Sequence, residues 1–437
     1  MKKLAFIWSE LTNSFWFIPI LIILCALGLS AVSIYLDQLI DFNTVTYFKY
    51  FVTESADSAR SVLSTISGAM IGVAGTVFSI TLVALTLASS QFGSRLLRNF
   101  MHERLNQVVL GIYVSTYLYC LIILNVVKDN DGMQFIPSLS ILISIFAAVA
   151  NIVLLIVFIH HISVSIQADN VISDISESLT KNVEFIFSEE IEEDSISNPS
   201  EDVEAIIENY SKHTTVKSSE SGYLQYMQNE TLLNFAIENN ILIITKHRPG
   251  NYLVKGEKIF DIYTNSDIDQ EAISNLNSNF ITGKSRTPQQ DAEHAIHQMV
   301  EIACRALSPG INDPYTAITC IDNLTSTMCY LTKVKFPEKY RYDDDGNLRY
   351  VLRPLTYEGM LNTSFLQIRQ FSKGSPAVVI RLMEAMITIY QFTKFTEHQK
   401  VVCRHAQMIL DLAESSFEDD HDLKDMKERS QIIFNNN

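Results

Sequence analysis

The chain has 437 residues, with 49 acidic and 33 basic side chains, and its formal net charge is −16 at pH 7. Because nucleic-acid-binding proteins neutralise phosphates with lysine and arginine, this charge argues against nucleic acid as a partner. The 6 cysteines include no C-x-x-C pair, which argues against a disulfide framework and against a zinc site.

The charge is distributed unevenly along the chain. Residues 1–160 contain 8 basic and 8 acidic side chains, so residues 161–437 carry the whole net charge. The mean hydropathy of the chain is nevertheless positive, at +0.13. This combination indicates an apolar first part joined to an acidic, soluble second part.

Four long apolar runs lie in the first part. They cover residues 15–36, 62–88, 108–127 and 136–159, and none contains Asp, Glu, Lys or Arg. At about 1.5 Å per residue, each run can cross a hydrocarbon core of about 30 Å. The first run is also longer than the apolar stretch of a signal peptide. We therefore predict a four-helix transmembrane domain over residues 1–160, embedded in the lipid bilayer, with its first helix retained.

Basic residues in the short connecting segments predict the orientation. Lys2 and Lys3 precede the first run, and Arg95, Arg98 and Arg104 follow the second. Because Lys and Arg are enriched in cytoplasmic loops, both segments are expected on the cytoplasmic side. Four crossings then place the N- and C-termini of the chain in the cytoplasm.

The second run contains a stripe of small and hydroxylated residues at helical spacing. Its members are Thr65, Gly68, Gly72, Thr76, Ser79 and Thr86. One interpretation is close packing against another helix, since small residues let helix backbones approach. The other is the wall of a pore, in which the hydroxyls face water. The four runs lack ionisable residues, which argues against a proton-coupled carrier.

The second part of the chain begins with an acidic helical linker region at 161–215, followed by a small β-module at 216–264. In this module SGYLQYM and ILIITKH have the composition of strands, and TLLNFAIENN that of a short helix between them. Turns are expected at Pro249-Gly250 and at Gly256. The module is predicted to serve structure or assembly.

Residues 265–437 are predicted to form a mainly helical domain. Thr287 before Pro288 has the pattern of a helix N-cap with proline at the first position, and Ser-Pro-Gly at 308–310 ends that helix. Asp345-Gly346 suits a hairpin turn. The complete chain is therefore predicted to be an α-helical membrane domain followed by a cytoplasmic α+β domain.

Polar residues around this predicted helix are candidates for binding a cytoplasmic ligand or for an interface. They are Arg286, Asp291, His294, Arg305, Ser308, Asn312 and Asp313. Asp291, His294 and His297 or Glu301 recur at helical spacing, so a metal or phosphate site on one helix face is one interpretation, and a polar face in solvent or at a subunit contact is the other. Asn312 or Asp313 is also suited to cap the next helix. No nucleophile has an evident base, so we predict no catalytic residues, metal, cofactor or enzymatic activity.

The chain resembles the predicted bacterial membrane proteins of the DUF2254 family. The blocks that carry the resemblance are GVAGTVFSITLVALTLASSQFGSRLLRNF, SGYLQYM, RPGNYLVKG and RTPQQDAEHAIHQMVEIACRALSPGINDPYTA. The resemblance implies four membrane helices, a cytoplasmic domain and a bacterial inner membrane, and it implies no activity. This sequence departs from the family at Ser94, where the family commonly has proline.

Two hypotheses for the function follow. The first is a homo-oligomeric ion channel or pore whose second helix lines or supports the axis, with a cytoplasmic domain for assembly and gating. A single subunit with four spans encloses little volume, so such a pore would form on an oligomer axis. The alternative is a non-conducting, membrane-anchored sensor or scaffold that binds a cytoplasmic ligand or partner.

Overall fold

The protein divides into two compact units, one comprising residues 1–170 and the other residues 171–437. The computed structural model describes residues 12, 14–39, 55–93, 104–130, 133–187, 202–267 and 276–435. Lys2, Lys3, Arg95 and Arg98, on which the predicted orientation depends, lie outside the described residues, as does Ser94.

Four long helices form the membrane unit. They are α1 (Phe17–Leu39), α2 (Ala56–Phe92), α3 (Arg104–Val126) and α4 (Ser138–Ser165), with a short hairpin of β1 (Lys128–Asn130) and β2 (Met133–Phe135) before α4. All four helices are long and apolar enough to cross a membrane, which confirms the four predicted spans. The protein is therefore a multi-pass membrane protein.

The helix α2 is longer than its apolar run predicts. It has 37 residues, which is about 55 Å at 1.5 Å per residue, while the hydrocarbon core is about 30 Å thick. The helix begins after Ser55 and ends at Gly93, where a φ of 110° takes the backbone out of the helical region. The apolar run predicted only the part of α2 that is apolar enough for hydrocarbon, because the helix continues into polar residues at both ends of the run.

Within one chain the central helix of the membrane unit is α3. Of the most apolar 18 residues of α3, 50% are buried, compared with 22% of the corresponding residues of α2 and 11% of those of α1. Gly111 allows this packing, because a Cβ atom there would lie 2.9 Å from Cδ1 of Ile22 and 3.0 Å from Cα of Pro19. The close approach of α1 to α3 therefore depends on glycine at this position.

Polar contacts fix the arrangement of these helices. The carboxylate of Asp37 accepts hydrogen bonds from the backbone N–H groups of Leu139 and Ser140, at 2.8 and 3.0 Å, and so caps the start of α4 from the end of α1. Deeper in the unit, Nδ2 of Asn151 donates to the Thr116 hydroxyl at 2.9 Å. Such pairs satisfy polar groups that hydrocarbon leaves without partners.

The soluble unit combines helices with two small sheets. Its helices are α5 (Ala168–Ile186, which begins in the last residues of the first unit), α6 (Val203–Ile207), α7 (Asn229–Glu238), α8 (Glu293–Ala306), α9 (Pro314–Leu331), α10 (Tyr357–Phe371), α11 (Pro376–Phe392), α12 (Thr396–Ser416) and α13 (Asp420–Phe434). Its strands are β3 (Lys212–Lys217), β4 (Gly222–Met227), β5 (Leu242–Thr245), β6 (Tyr252–Leu253), β7 (Lys258–Thr264), β8 (Phe280–Gly283), β9 (Tyr340–Tyr342) and β10 (Leu348–Val351).

The strands form a five-stranded sheet in the order β3-β7-β5-β10-β9 and a three-stranded sheet in the order β6-β4-β8. The pairing of β10 with β5 is parallel, and the other pairs are antiparallel. Two predicted strands and the short helix between them appear as β4, α7 and β5. The sheets also extend past the predicted 216–264 module, because β8, β9 and β10 join them from residues 280–351.

The helical boundaries in the densest segment differ from the prediction in one place. Thr287 and Pro288 do not start a helix, since α8 begins at Glu293 and has Ala292 as its N-cap. The Thr287 hydroxyl instead lies 3.5 Å from the carbonyl oxygen of Gln225 on β4, so a tertiary contact replaces the predicted cap. The next helix, α9, begins as predicted, with Asp313 as N-cap and proline in its first turn.

Candidate functional site

The predicted stripe of small residues lies on the outer surface of the membrane unit. Thr65, Gly68, Gly72, Thr76, Ser79 and Thr86 are all exposed. At 3.6 residues per turn they lie on the side of α2 opposite to its buried residues, such as Leu63, Met70 and Val77. A Cβ atom added at Gly68, Gly72 or Gly75 would meet no atom within 4 Å. Among the described residues, nothing in the same chain packs against this surface, which we call the α2 small-residue face.

The hydroxyls of this face bond to their own helix. Thr76 donates to the carbonyl oxygen of Gly72 at 3.2 Å, and Ser79 donates to that of Gly75 at 2.9 Å. Thr65 and Thr86 make the same bond to the fourth residue before them. Each hydroxyl proton therefore has an acceptor, while each oxygen keeps lone pairs that can accept a further hydrogen bond or contact a cation.

Three ion pairs join the segments around Arg248 and Arg286 to the start of α8, and the longest is that of Arg286 with Glu293, at 4.0 Å. Arg286 binds Asp291 in a bidentate manner, with Nε–Oδ2 at 2.6 Å and Nη2–Oδ1 at 2.8 Å. Arg248 donates from Nη2 to Oε2 of Glu293 at 2.7 Å. Asp291 is only 2% exposed and Glu293 9%, so neither carboxylate is well solvated without its arginine. The sequence blocks RPGNYLVKG and RTPQQDAEHA therefore meet here.

Gly250 is required where these blocks meet. Its φ is +95°, a conformation that favours glycine, and a Cβ atom would lie 2.5 Å from Oδ2 of Asp291. Sequence reasoning identified Arg286, Asp291 and the Pro249-Gly250 turn but missed Arg248 and Glu293. The spacing of these two residues in the sequence gives no sign that they pair, because the contact is formed across 45 residues.

Of the remaining sequence candidates, His294 lies beside this cluster and donates its backbone N–H to the carbonyl oxygen of Asp291 at 3.1 Å. His294 and Arg305 are half-buried on α8, and both make contacts of their own. Ser308 donates to the carbonyl oxygen of Arg305 at 2.6 Å, and Asp313 accepts from the backbone N–H of Thr316 at 3.1 Å. Asn312 has a φ of 51° in the intervening turn.

The candidate set therefore divides between the two ends of α8. The helix has 14 residues, which separates its ends by about 20 Å. Arg286 and Asp291 lie at its start, whereas Arg305, Ser308, Asn312 and Asp313 lie at its end or in the turn after it. Ser308 and Asp313 have local structural roles there, as a turn hydrogen bond and a helix cap.

A cavity of about 530 Å³ lies in the soluble unit at the start of α10. It is lined by Arg248, Phe336, Pro337, Lys339, Leu352, Arg353, Pro354, Leu355, Thr356, Tyr357 and His398. Arg248 therefore contributes both to the ion pairs and to the cavity wall. None of the candidates chosen from the sequence lines this cavity, because its residues come from four separate segments.

Three polar atoms of the cavity lining are buried without a hydrogen-bond partner in the described part of the chain: Oη of Tyr357, Nδ1 of His398 and Nε of Arg248. Tyr357 is 3% exposed, and the nearby Thr393 hydroxyl donates to the carbonyl oxygen of Ile389 at 2.6 Å. The rings of Tyr357 and His398 stack with centroids 3.9 Å apart. Burial raises the pKa of Tyr357 and lowers the pKa of His398 to about 4, so both side chains are neutral near pH 7.

The candidate site shows no metal centre. Among the described residues, no three His, Cys, Asp or Glu side chains are grouped so that they could hold a metal ion. Burial also raises the pKa of the Cys304 thiol to about 12, and thiols that stay protonated are poor nucleophiles and metal ligands.

Four apolar helices followed by a mixed soluble unit define the class of the protein as a multi-pass membrane protein. A model of the DUF2254 family, described as predicted membrane proteins, matches residues 12–388. The chain belongs to this family. It is 29% identical over 427 residues to an uncharacterized protein of Mycobacterium tuberculosis (strain CDC 1551 / Oshkosh), covering 94% of this chain and 78% of the relative. An uncharacterized protein of Mycobacterium bovis (strain ATCC BAA-935 / AF2122/97) matches to the same extent. No solved structure matches.

Substituting Gly250 tests the junction between the ion pairs and the sheet. We expect Gly250→Ala to lower the free energy of unfolding by about 2–4 kcal/mol, because it adds backbone strain and displaces the buried Asp291 carboxylate. The measurement is pulse proteolysis of the full chain in urea. Gly256→Ala is the matched control, since Gly256 has a φ of +88° and open space at its Cβ position. Equal losses in the two variants would contradict the role of the ion pairs.

The buried His405 predicts a pH dependence of stability. His405 is 1% exposed, it donates from Nε2 to Oδ1 of Asn362 at 2.8 Å, and burial lowers its pKa to about 4 with help from the neighbouring Arg404 and Arg369. The unfolded chain therefore binds a proton that the folded chain resists. The stability is full above pH about 6.5 and is lost as the pH falls towards 4.

We expect His405→Gln to reduce the loss of unfolding free energy between pH 7.5 and 5.0 by about 2 kcal/mol. Pulse proteolysis of the full chain in urea at the two pH values measures this difference. His421→Gln, at the exposed start of α13, should leave the loss unchanged. A loss in His405→Gln as large as in the wild type would refute the assignment.

Proposed function

We propose that this protein is a homo-oligomer in which the α2 small-residue faces of neighbouring chains pack around a common axis, and that this axis conducts a small ion. The soluble unit, placed on the cytoplasmic side of a bacterial inner membrane, assembles and gates the oligomer. We assign it no enzymatic activity. The observation that carries the proposal is the exposure of Gly68, Gly72 and Gly75, with open space at each Cβ position.

The composition of the other exposed surfaces supports this interpretation. Where α1 and α4 face outward, the side chains are large and apolar, including Leu24 at 58% exposure and Ile156 at 65%. Such side chains suit lipid tails. In a bilayer, helices associate through close van der Waals packing rather than the hydrophobic effect, so small residues favour a helix partner over lipid. A second copy of α2 is a partner of matching shape.

The chemistry of the face also suits a conducting axis. The hydroxyl oxygens of Thr76 and Ser79 keep free lone pairs after donating to their own helix, so they can face water or a cation. Val83, which lies on the same side of the helix at 68% exposure, supplies an apolar segment of the kind that gates by dewetting. A ring of at least three chains is needed to enclose such an axis.

Replacing a glycine of the face tests self-association. We expect Gly72→Leu to convert the oligomer of detergent-purified protein into smaller species, because the added side chain separates the helices. The change should not disturb the single chain, since the Cβ position is open and leucine is a better helix former than glycine. Native mass spectrometry measures the subunit number.

Val153→Leu provides the matched control, since Val153 is 57% exposed on α4 and lies away from the proposed contact. It should leave the subunit number unchanged. If the wild-type protein is a monomer, or if Gly72→Leu leaves the subunit number unchanged, the proposed interface is wrong.

Ion flux into liposomes tests conduction. We expect wild-type proteoliposomes to leak potassium at least tenfold faster than protein-free liposomes, and the double substitution Thr76→Val with Ser79→Ala to abolish most of this flux, because it removes the oxygens that contact the ion. The subunit number of the variant should stay that of the wild type. Liposomes as tight as the protein-free control across voltage, pH and salt would exclude the channel.

A non-conducting, membrane-anchored sensor is the second candidate, and the cavity at the start of α10 is the observation that favours it. Three residues of the cavity lining each have a buried polar atom without a hydrogen-bond partner in the described part of the chain, and a ligand that completes such hydrogen bonds would stabilise the site. Flux separates the candidates, because a sensor binds its ligand in the cavity and conducts nothing.

A further inference from the structure

The cavity at the start of α10 carries positive charge in a unit that is strongly acidic. Its lining includes Arg248, Lys339 and Arg353 and no Asp or Glu. Arg248 is paired with Glu293, which leaves Lys339 and Arg353 as the uncompensated cations. The ammonium of Lys339 lies 5.0 Å from the centre of the Tyr340 ring, and Nη1 of Arg353 donates to the carbonyl oxygen of Lys246 at 3.1 Å. In the described part of the chain neither forms an ion pair.

A helix begins at the same place. Thr356 is the N-cap of α10, a helix of 15 residues, and its side chain accepts from the backbone N–H of Gly359 at 3.1 Å. The first N–H groups of a helix lack intrahelical partners and carry a partial positive charge, so they attract anions. The N–H groups of the helix start therefore add to Lys339 and Arg353, while the carboxylate of Glu358 in the same first turn is paired with Arg404 at 2.7 Å.

A buried hydroxyl gives independent evidence of a ligand. Tyr357 lines the cavity and is 3% exposed, and its hydroxyl lies near the Thr393 hydroxyl without forming a hydrogen bond of good geometry to any described residue. Burying an unpaired hydroxyl is unfavourable, and a bound acceptor would relieve that penalty. Nδ1 of His398 and Nε of Arg248 are also buried without a hydrogen-bond partner among the described residues.

The rest of the wall is apolar. Phe336, Leu352, Pro354 and Leu355 contribute to it, and the His398 ring stacks on Tyr357. The volume of about 530 Å³ falls within the range of small-molecule sites, about 300–1,000 Å³. A free inorganic anion would leave most of this volume and all of the apolar wall unused.

We propose that this cavity binds a small organic phosphate, a phosphomonoester whose dianionic head meets Lys339, Arg353 and the start of α10 while its apolar or aromatic body lies against Phe336, Leu352 and Leu355. A phosphomonoester carries a charge of about −1.5 to −2 at pH 7, which matches the two uncompensated cations. Guanidinium groups also pair well with phosphate oxygens. The assignment concerns only the soluble unit and does not depend on whether the protein conducts ions.

The first test is calorimetric titration of the full chain in nanodiscs of zwitterionic lipid with three probes: phenyl phosphate, inorganic phosphate and phenol. We expect phenyl phosphate to bind with a Kd of about 1 mM or tighter. Inorganic phosphate should bind at least tenfold more weakly and phenol not measurably. If phenyl phosphate does not bind, the proposed site is wrong. If inorganic phosphate binds as tightly as phenyl phosphate, the proposed contact of the organic group with the apolar wall is wrong.

Substitutions locate the binding. Arg353→Gln and Lys339→Gln should each weaken phenyl phosphate at least tenfold. Lys373→Gln is the control with the same loss of charge, since Lys373 is exposed beyond the opposite end of α10, and it should change the Kd by less than twofold. Equal weakening in all three variants would overturn the cavity as the site and indicate a general effect of charge.

Tyr357→Phe distinguishes a ligand contact from a structural role. Because the hydroxyl is unpaired in the protein alone, its removal should leave the thermal midpoint unchanged or raise it, while phenyl phosphate binds at least threefold more weakly. A lowered midpoint with unchanged binding overturns the role of this hydroxyl. Native mass spectrometry of the same sample reports the subunit number, so a failure of binding is distinguishable from a failure of assembly.

Discussion

The two-sided surface of α2 is the constraint on which the membrane unit depends. One side is packed against the other helices through residues such as Leu63 and Val77, which are at most 1% exposed. The other side presents glycines and hydroxyls to the surroundings. In water an apolar helix face is covered because of the hydrophobic effect, but lipid tails remove that force and leave packing to decide. A helix face formed by such small side chains packs better against another helix than against lipid.

The central position of α3 within one chain makes this arrangement possible. Gly111 lets α1 approach α3 closely, and Asn151 and Thr116 bind α4 to α3. Because α3 supplies the internal contacts, α2 needs only one of its faces for the fold of the single chain. The second face is then available for an interaction between chains, and the hydrogen bonds within α2 leave it without unsatisfied donors.

The sequence predicted the membrane helices because hydrocarbon imposes a length and an apolar composition that are visible locally. It predicted β4, α7, β5 and the cap at Asp313 for a similar reason, since turn and cap residues act over a few positions. It missed the joining of β10 with β5, which links residues separated by more than a hundred positions. Thr287 was misassigned because its contact with Gln225 outweighed a local capping pattern.

The candidate site shows the same difference between features that are local in the sequence and contacts that are not. Arg286 and Asp291 were candidates because they are polar residues near the predicted helix, but their pairing was not predicted, and Arg248 and Glu293 pair across 45 residues. The cavity at α10 was invisible from the sequence, since its walls come from separate segments and its evidence is the burial of unpaired atoms. The stripe on α2 was found, but only the structure gives its orientation, which excludes packing within the described part of the same chain.

Disulfide cross-linking in native membranes tests whether α2 of one chain lies against α2 of another. In a background with Cys25→Ala and Cys403→Ala, which removes the cysteines that are not buried, we would introduce Thr76→Cys on the α2 small-residue face or Val153→Cys on α4. Self-association through α2 predicts rapid formation of a covalent dimer for Thr76→Cys and little for Val153→Cys. Cross-linking at Val153 alone, or at neither position, would contradict the self-association of α2.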